Sequence, residues 1–99
     1  MTNYTVRVEL HDADDSDDYE KLHKQMKIQG FSRTISINGV SYHLPTAEYS
    51  IVSNLTASVI LGKAKSAANK VQPDPEPSIL VTGSPSPRVF SGLDRVKSK

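Results

Sequence analysis

Apolar and polar residues alternate from the start of the chain, Tyr4, Val6, Val8 and Leu10 being separated by Thr5, Arg7 and Glu9. A period of two sends successive side chains to opposite faces, so this spacing predicts a strand over 4–10 with one buried side. An acidic loop follows from His11 to Asp18, where Asp17 with Glu20 three residues on has the form of a capping box. A helix is expected from about 18 to 29. Tyr19, Leu22 and Met26 fall on one side of its wheel, with Lys21, Lys24 and Lys27 opposite. Ile28 does not fit that stripe. Gly30 supplies a left-handed stop.

Phe31, Arg33, Ile35 and Ile37 then alternate with Ser32, Thr34 and Ser36, and Asn38-Gly39 is a strong hairpin signal. Pro45 cannot donate to a ladder, which puts the pairing core of the return strand at Glu48–Ser53 and makes 40–46 an extended hairpin tip. Asn54 is a good N-cap for a second helix. Its apolar stripe is Ala57, Ile60, Leu61, Ala64, Ala67, Ala68 and Val71, small enough to let the helix approach a sheet closely. Gln72–Pro77 is a proline-punctuated linker, Ser78–Thr82 a short β-rich run and Gly83–Pro87 a break. Arg88–Ser91 has room for a last edge strand, and the basic end from Asp94 is expected to fray.

The order β-α-β-β-α-β is that of the ferredoxin-like α+β fold, an antiparallel sheet with two helices on one face. The expected core is Val6, Val8, Leu22, Met26, Ile60, Leu61, Ala64 and Ala68. The domain spans 1–83, and 84–99 holds the Pro/Ser-rich break, the edge strand and the basic tail. In that topology the loop after the first strand, the hairpin tip and the 72–77 linker gather at one end, bringing His11, Asp12, Tyr42 and His43 toward one patch.

Composition sharpens this picture. Ninety-nine residues make one domain with a modest core, and 36% hydrophobic residues without Trp make that core aliphatic. The formal charge of +1 excludes a polycation, yet it hides an asymmetry: residues 1–20 hold seven acids against Arg7, and the rest hold eleven bases against four acids. Absence of Cys removes disulfides, thiolate metal sites and Cys nucleophiles. No signal-peptide pattern opens the sequence and no apolar run approaches the ~20 residues of a membrane span, so a cytoplasmic protein without membrane contact is expected.

Several segments together carry a resemblance: Thr5–Asp12, Gly30–Ile35, the block Tyr42-His43-Leu44-Pro45-Thr46-Ala47-Glu48-Tyr49, and the Ala/Lys-rich second helix. They resemble the GhoS-type antitoxin family of type V toxin–antitoxin systems, over about residues 2 to 82, with the block at 42–49 the most specific part. The resemblance implies a ferredoxin-like fold related to that of small CRISPR-associated nucleases. It also implies an endoribonuclease acting on the messenger RNA of a membrane-damaging toxin. It brings no catalytic motif that can be placed residue by residue, and the segment after Gly83 lies outside it.

Candidate sites therefore come from chemistry. RNA cleavage without metal needs a base for the 2′-hydroxyl and an acid for the leaving oxygen, roles that His11 and His43 could fill, with Tyr42 as proton donor or stacking platform. His23 has no evident partner, and Tyr4 and Tyr49 read as core or interface. Carboxylates at 12, 14, 15, 17 and 18 invite Mg²⁺ centred on Asp12, but they lack the glycine and glutamate of an EF-hand loop; acids before a helix also favour its N-terminus. No cofactor is expected unless Mg²⁺ binds there. Arg33, with Lys21, Lys24 and Lys27, forms the candidate RNA-backbone contact, while an ion pair of Arg33 with Glu48 or Glu9 is the structural alternative. A homodimer is expected through uncovered sheet edges, the hairpin arm and 88–91 contributing. A non-enzymatic dimeric nucleic-acid-binding or interaction domain, phage-derived in origin, is the competing reading of the whole chain.

Overall fold

A computed structural model describes residues 1–11, 16–45, 47–86 and 88–96. The elements are β1 (Thr2–Glu9), α1 (Ser16–Ile28), β2 (Thr34–Ile37), β3 (Val40–His43), β4 (Glu48–Ser53), α2 (Ala57–Asn69) and β5 (Ser78–Ser84). The fold is α+β with antiparallel strands. β1 lies at the centre of a three-stranded sheet in the order β4-β1-β5, with Val6 opposite Tyr49 on one side and Val81 on the other.

The alternation at the N-terminus has the predicted effect. Tyr4, Val6, Val8 and Leu10 are buried and share one cluster with Leu22 and Met26 of α1, Tyr49 of β4, and Ile60, Ala64, Ala67 and Ala68 of α2. Both helices thus pack on the even-numbered face of β1, and Arg7 and Glu9 on the other face are exposed.

Helix ends depart from expectation in detail. α1 begins at Ser16, so Asp17 lies inside the first turn, beside Asp18 at the positive end of the helix dipole, and not at the cap. Its C-terminus closes as foreseen: Gly30 has φ +97°, its N–H donates to the Lys27 carbonyl at 3.0 Å, and the Phe31 N–H donates to that of Met26 at 3.0 Å. This is the paired closure of a Schellman motif, and it leaves Phe31 buried. Ile28 is exposed, outside the apolar face. α2 is capped by Thr56, not Asn54, with the Thr56 hydroxyl accepting from the Val59 N–H at 3.3 Å.

Leu61 is a correction. Ile60, Ala64, Ala67 and Ala68 are buried, whereas Leu61 is 37% exposed and Ala57 is exposed. Alanines bring α2 close to the sheet, so only a narrow stripe is covered. Leu61, about 100° round from Ile60, falls beyond its edge, and Ala57 sits at the helix start.

The hairpin is the second correction. Asn38 (φ 53°) and Gly39 (φ 78°) form the turn between β2 and β3, both residues left-handed as a type I′ turn requires. This hairpin is a separate two-stranded sheet and not part of a continuous four-stranded one. A bridge at Ser32–Ser50, whose N–H groups donate to each other's carbonyls at 2.8 and 2.7 Å, joins the segment entering the hairpin to the main sheet. The chain bends at Arg33, which breaks the period of two, so Arg33 is exposed while Phe31 and Ile35 are buried.

Beyond β5 the chain turns back over the sheet. Asn3 Nδ2 donates to the Ser86 carbonyl at 3.2 Å, the Arg88 guanidinium donates to Ser50 Oγ and the Tyr4 carbonyl, and the rings of Phe90 and Tyr42 lie 4.8 Å apart. No strand forms over 88–91. The pairing falls later: the His43 N–H donates to the Asp94 carbonyl at 2.8 Å and the Val96 N–H to that of Ser41 at 2.9 Å, laying 94–96 along the outer edge of β3. Thus residues 94–96, expected to fray, are held by β3. Among the described residues no helix is long and apolar enough to cross a membrane.

The revised helix phase has a measurable consequence. Ile60→Ala should cost roughly 2–5 kcal/mol of unfolding free energy, whereas Leu61→Ala should cost less than about 1 kcal/mol. Urea denaturation of the two variants reads the difference, and equal losses would refute the assignment of the buried stripe.

Candidate functional site

His11 lies two residues beyond the end of β1, and its Nε2 is 2.7 Å from Ser78 Oγ at the start of β5. His43 is on the hairpin, exposed, with Asp94 and Arg95 as neighbours in a shared hollow. β5 flanks β1 on one side and β4, which carries the hairpin's bridge, flanks it on the other. The 44–47 loop does reach β1, the Val8 N–H donating to the Ala47 carbonyl at 2.9 Å, but His43 turns toward the C-terminal segment instead. Among the described residues no hydrogen bond or ring contact joins His11 to His43. Tyr42 stacks at a tilt on Phe90. Asp12 lies outside the described residues, as do Asp14 and Asp15. Among the described residues no group of three or more metal-ligating side chains forms.

A different grouping does form around α1. His23, Lys24, Lys27, Phe31, Ser32 and Arg33 line a cleft of about 330 Å³. α1 places His23, Lys24 and Lys27 on one side, since positions three or four apart share a helix face. The tight closure at Gly30 swings the chain back so that Phe31 forms the floor and Arg33 the opposite rim. Arg33 makes no ion pair with Glu48 or Glu9. Lys21 is exposed on the same helix, outside the cleft.

His23 is the member that sequence reasoning passed over. Its Nδ1 lies 2.5 Å from Tyr49 Oη, with the rings 5.7 Å apart. Burial, then the charge of Arg33, lowers the imidazole below its ordinary value of 6.5, while Glu20 opposes the shift. Burial pushes the Tyr49 phenol well above its ordinary range. At neutral pH the phenol therefore keeps its proton and the imidazole is uncharged. Among the described residues no other acceptor serves the Tyr49 hydroxyl, so it donates to Nδ1, and Nε2 carries the N–H. The cleft thus presents the neutral His23 and Ser32, two ammonium groups and a guanidinium, with no carboxylate in its lining. Such a set has the chemistry to receive an anion. The pairing of His23 with Tyr49 spans 26 positions, and no local pattern announces it.

Compared with protein-family models, curated proteins and solved structures, the chain matches none.

The lowered His23 value carries a sign. The folded protein binds fewer protons at this site than the unfolded chain, so its contribution to stability is present above 6.5 and is lost as pH falls through the folded value. Urea midpoints measured between pH 7 and about 5 should fall for the wild type and fall less steeply for His23→Phe. A His23 resonance titrating above 6.5 in NMR would contradict this.

Proposed function

We propose that this protein is an RNA-directed antitoxin of the GhoS type, with a ferredoxin-like fold, acting in the cytoplasm on the single-stranded messenger RNA of a partner membrane toxin. The observation that carries the RNA-directed part is the carboxylate-free cleft in which His23, Lys24, Lys27 and Arg33 surround Phe31. Phosphodiesters need closely spaced cationic donors, and unpaired RNA adds base stacking, so this set suits a strand backbone. Lys21 extends the same basic face along α1. The resemblance at 42–49 supports the antitoxin reading. For the fold, support comes from the element order and from the Ser32–Ser50 bridge, which sets the second strand beside β4.

Cleavage itself would proceed by attack of the 2′-hydroxyl on the adjacent phosphorus, a base removing the hydroxyl proton and an acid protonating the departing 5′-oxygen. His11 and His43 remain the proposed pair, with Tyr42 beside His43 and with Mg²⁺ held at Asp12 the metal-dependent variant. The separate contacts of His11 with Ser78 and of His43 with the 94–96 segment favour a second reading: a binding module that shields or remodels its RNA without cutting it. Association into a homodimer fits either reading. Because 94–96 occupies the edge of β3, the free edge of β5 is the one proposed to pair, and its sequence Ser78–Ser84 carries no charge to repel a second copy.

Incubation of the purified protein with a mixed RNA pool, with and without EDTA, separates the readings. The antitoxin reading expects mapped cuts in single-stranded regions, resistant to EDTA and slowed by about two orders of magnitude or more in the His11→Ala/His43→Ala variant. Loss of cutting in EDTA shifts the chemistry to Asp12. Whichever holds, replacing Lys24, Lys27 and Arg33 with Gln should reduce the slope of log affinity against log salt by about 0.7 for each RNA phosphate these side chains neutralise. An unchanged slope would overturn the assignment of this cleft.

A further inference from the structure

On the opposite side of Ser32 the hairpin and the helix-free face of the sheet enclose a second cleft of about 390 Å³, in the size range of small-molecule sites. Ile37 of the hairpin stands on one wall and Asn3, Ser50 and Val52 on the sheet, with Arg88 reaching in from the segment that follows β5. Register explains the sheet contribution: Asn3 is paired with Val52 and Thr5 with Ser50, on the face turned away from the helices. Ser50 is nonetheless buried, because Arg88 covers it.

Arg88 is an unusual lining residue. It is half-buried, and two of its N–H groups donate, one to the Ser50 hydroxyl and one to the Tyr4 carbonyl at 3.4 Å. The other three N–H groups of a guanidinium find no acceptor among the described residues. No carboxylate lies within ion-pair distance of it among those residues, and no Asp or Glu lines the cleft. Desolvation lowers its affinity for the proton, with nothing to oppose it. A half-buried cation held by neutral acceptors alone is poorly compensated, and a forked anion would supply the missing partner.

We infer that this cleft is a binding site for a small organic anion, its carboxylate or phosphate head on Arg88 and its apolar body between Ile37 and Val52. The inference stands apart from the RNA reading, since it uses neither α1 nor the His23 cleft. The Ser50 hydroxyl, which accepts from Arg88, has its own proton to donate at the head end. The apolar wall selects against a bare inorganic ion. Because Arg88 belongs to the segment that closes the cleft, a bound anion also fastens that segment to the sheet.

The test is a titration of the full chain by amide NMR with three probes: isobutyrate, uridine 5′-monophosphate and inorganic phosphate. Saturable shifts confined to the neighbourhood of Ser32, Ser50, Val52 and Arg88 with either organic probe support the site, and the stronger of the two identifies the head group. Arg88→Gln should weaken that binding by about tenfold or more, the loss expected of one charged hydrogen-bonding partner. Should Arg88→Gln release the 88–96 segment, Val52→Trp fills the cleft from an exposed position and should abolish binding. In that variant the amide signals of His43 and Val96 report that the segment is still in place. Absence of saturable shifts with all three probes, or shifts that persist in Val52→Trp, would overturn the proposal. So would inorganic phosphate binding as tightly as both organic probes.

Discussion

The burial of one face of β1 is the constraint on which the rest of the molecule depends. Four side chains at alternate positions, Tyr4 to Leu10, receive both helices from above and both neighbouring strands from the sides. In a chain with so little aromatic mass, that arrangement concentrates what apolar area exists at one place. It also explains the composition of α2. Alanines at 64, 67 and 68 let the helix axis come close enough to cover a three-stranded sheet, and a row of leucines there would hold it off. At the lower end of the strand Gly83 faces Tyr4 so tightly that a Cβ would come within 2.7 Å of the ring, while the Tyr4 hydroxyl donates to the Leu55 carbonyl at 2.6 Å.

Charge is distributed around this core with a consistent logic. Asp17 and Asp18 stand in the first turn of α1, at its positive end, and Lys21, Lys24 and Lys27 lie along its exposed flank. Two clefts open on either side of Ser32, each lined by cations and by no carboxylate. They differ in kind. The α1 cleft borders the core at Phe31 and carries several exposed charges, suited to an extended polyanion. The Arg88 cleft carries one constrained charge against an apolar wall, suited to a compact ligand. The His23–Tyr49 contact stands between the first of these and the core, so the protonation of one side chain reports on both.

Local pattern made much of the fold legible. The alternation of β1, the stop at Gly30 and the turn at Asn38-Gly39 are set by near neighbours, and each formed where the residues indicated. Leu61 escaped because a wheel shows which residues share a side but not how wide the covering surface is. Arg33 escaped because a single bend after the Ser32–Ser50 bridge resets the phase that alternation assumes unbroken. His23 and Arg88 find their partners 26 and 38 positions away, in Tyr49 and Ser50, and such pairings are decided by packing, not by sequence spacing. The candidate site was half legible for the same reason: the lysines of α1 announce a face, but the residues that close it come from another segment.

The central position of β1 has a consequence in time. Its two neighbours are β4 and β5, so the first strand to be synthesised cannot complete its hydrogen bonding until the last one exists. The pairs run from Thr2 with Ser53 to Asn3 with Ser84, long separations that must be closed against chain entropy before the core rewards them. During synthesis one edge of the central strand therefore stays open through the whole production of α2 and the proline-rich linker. Completion of the sheet around β1 therefore waits on the last strand, β5.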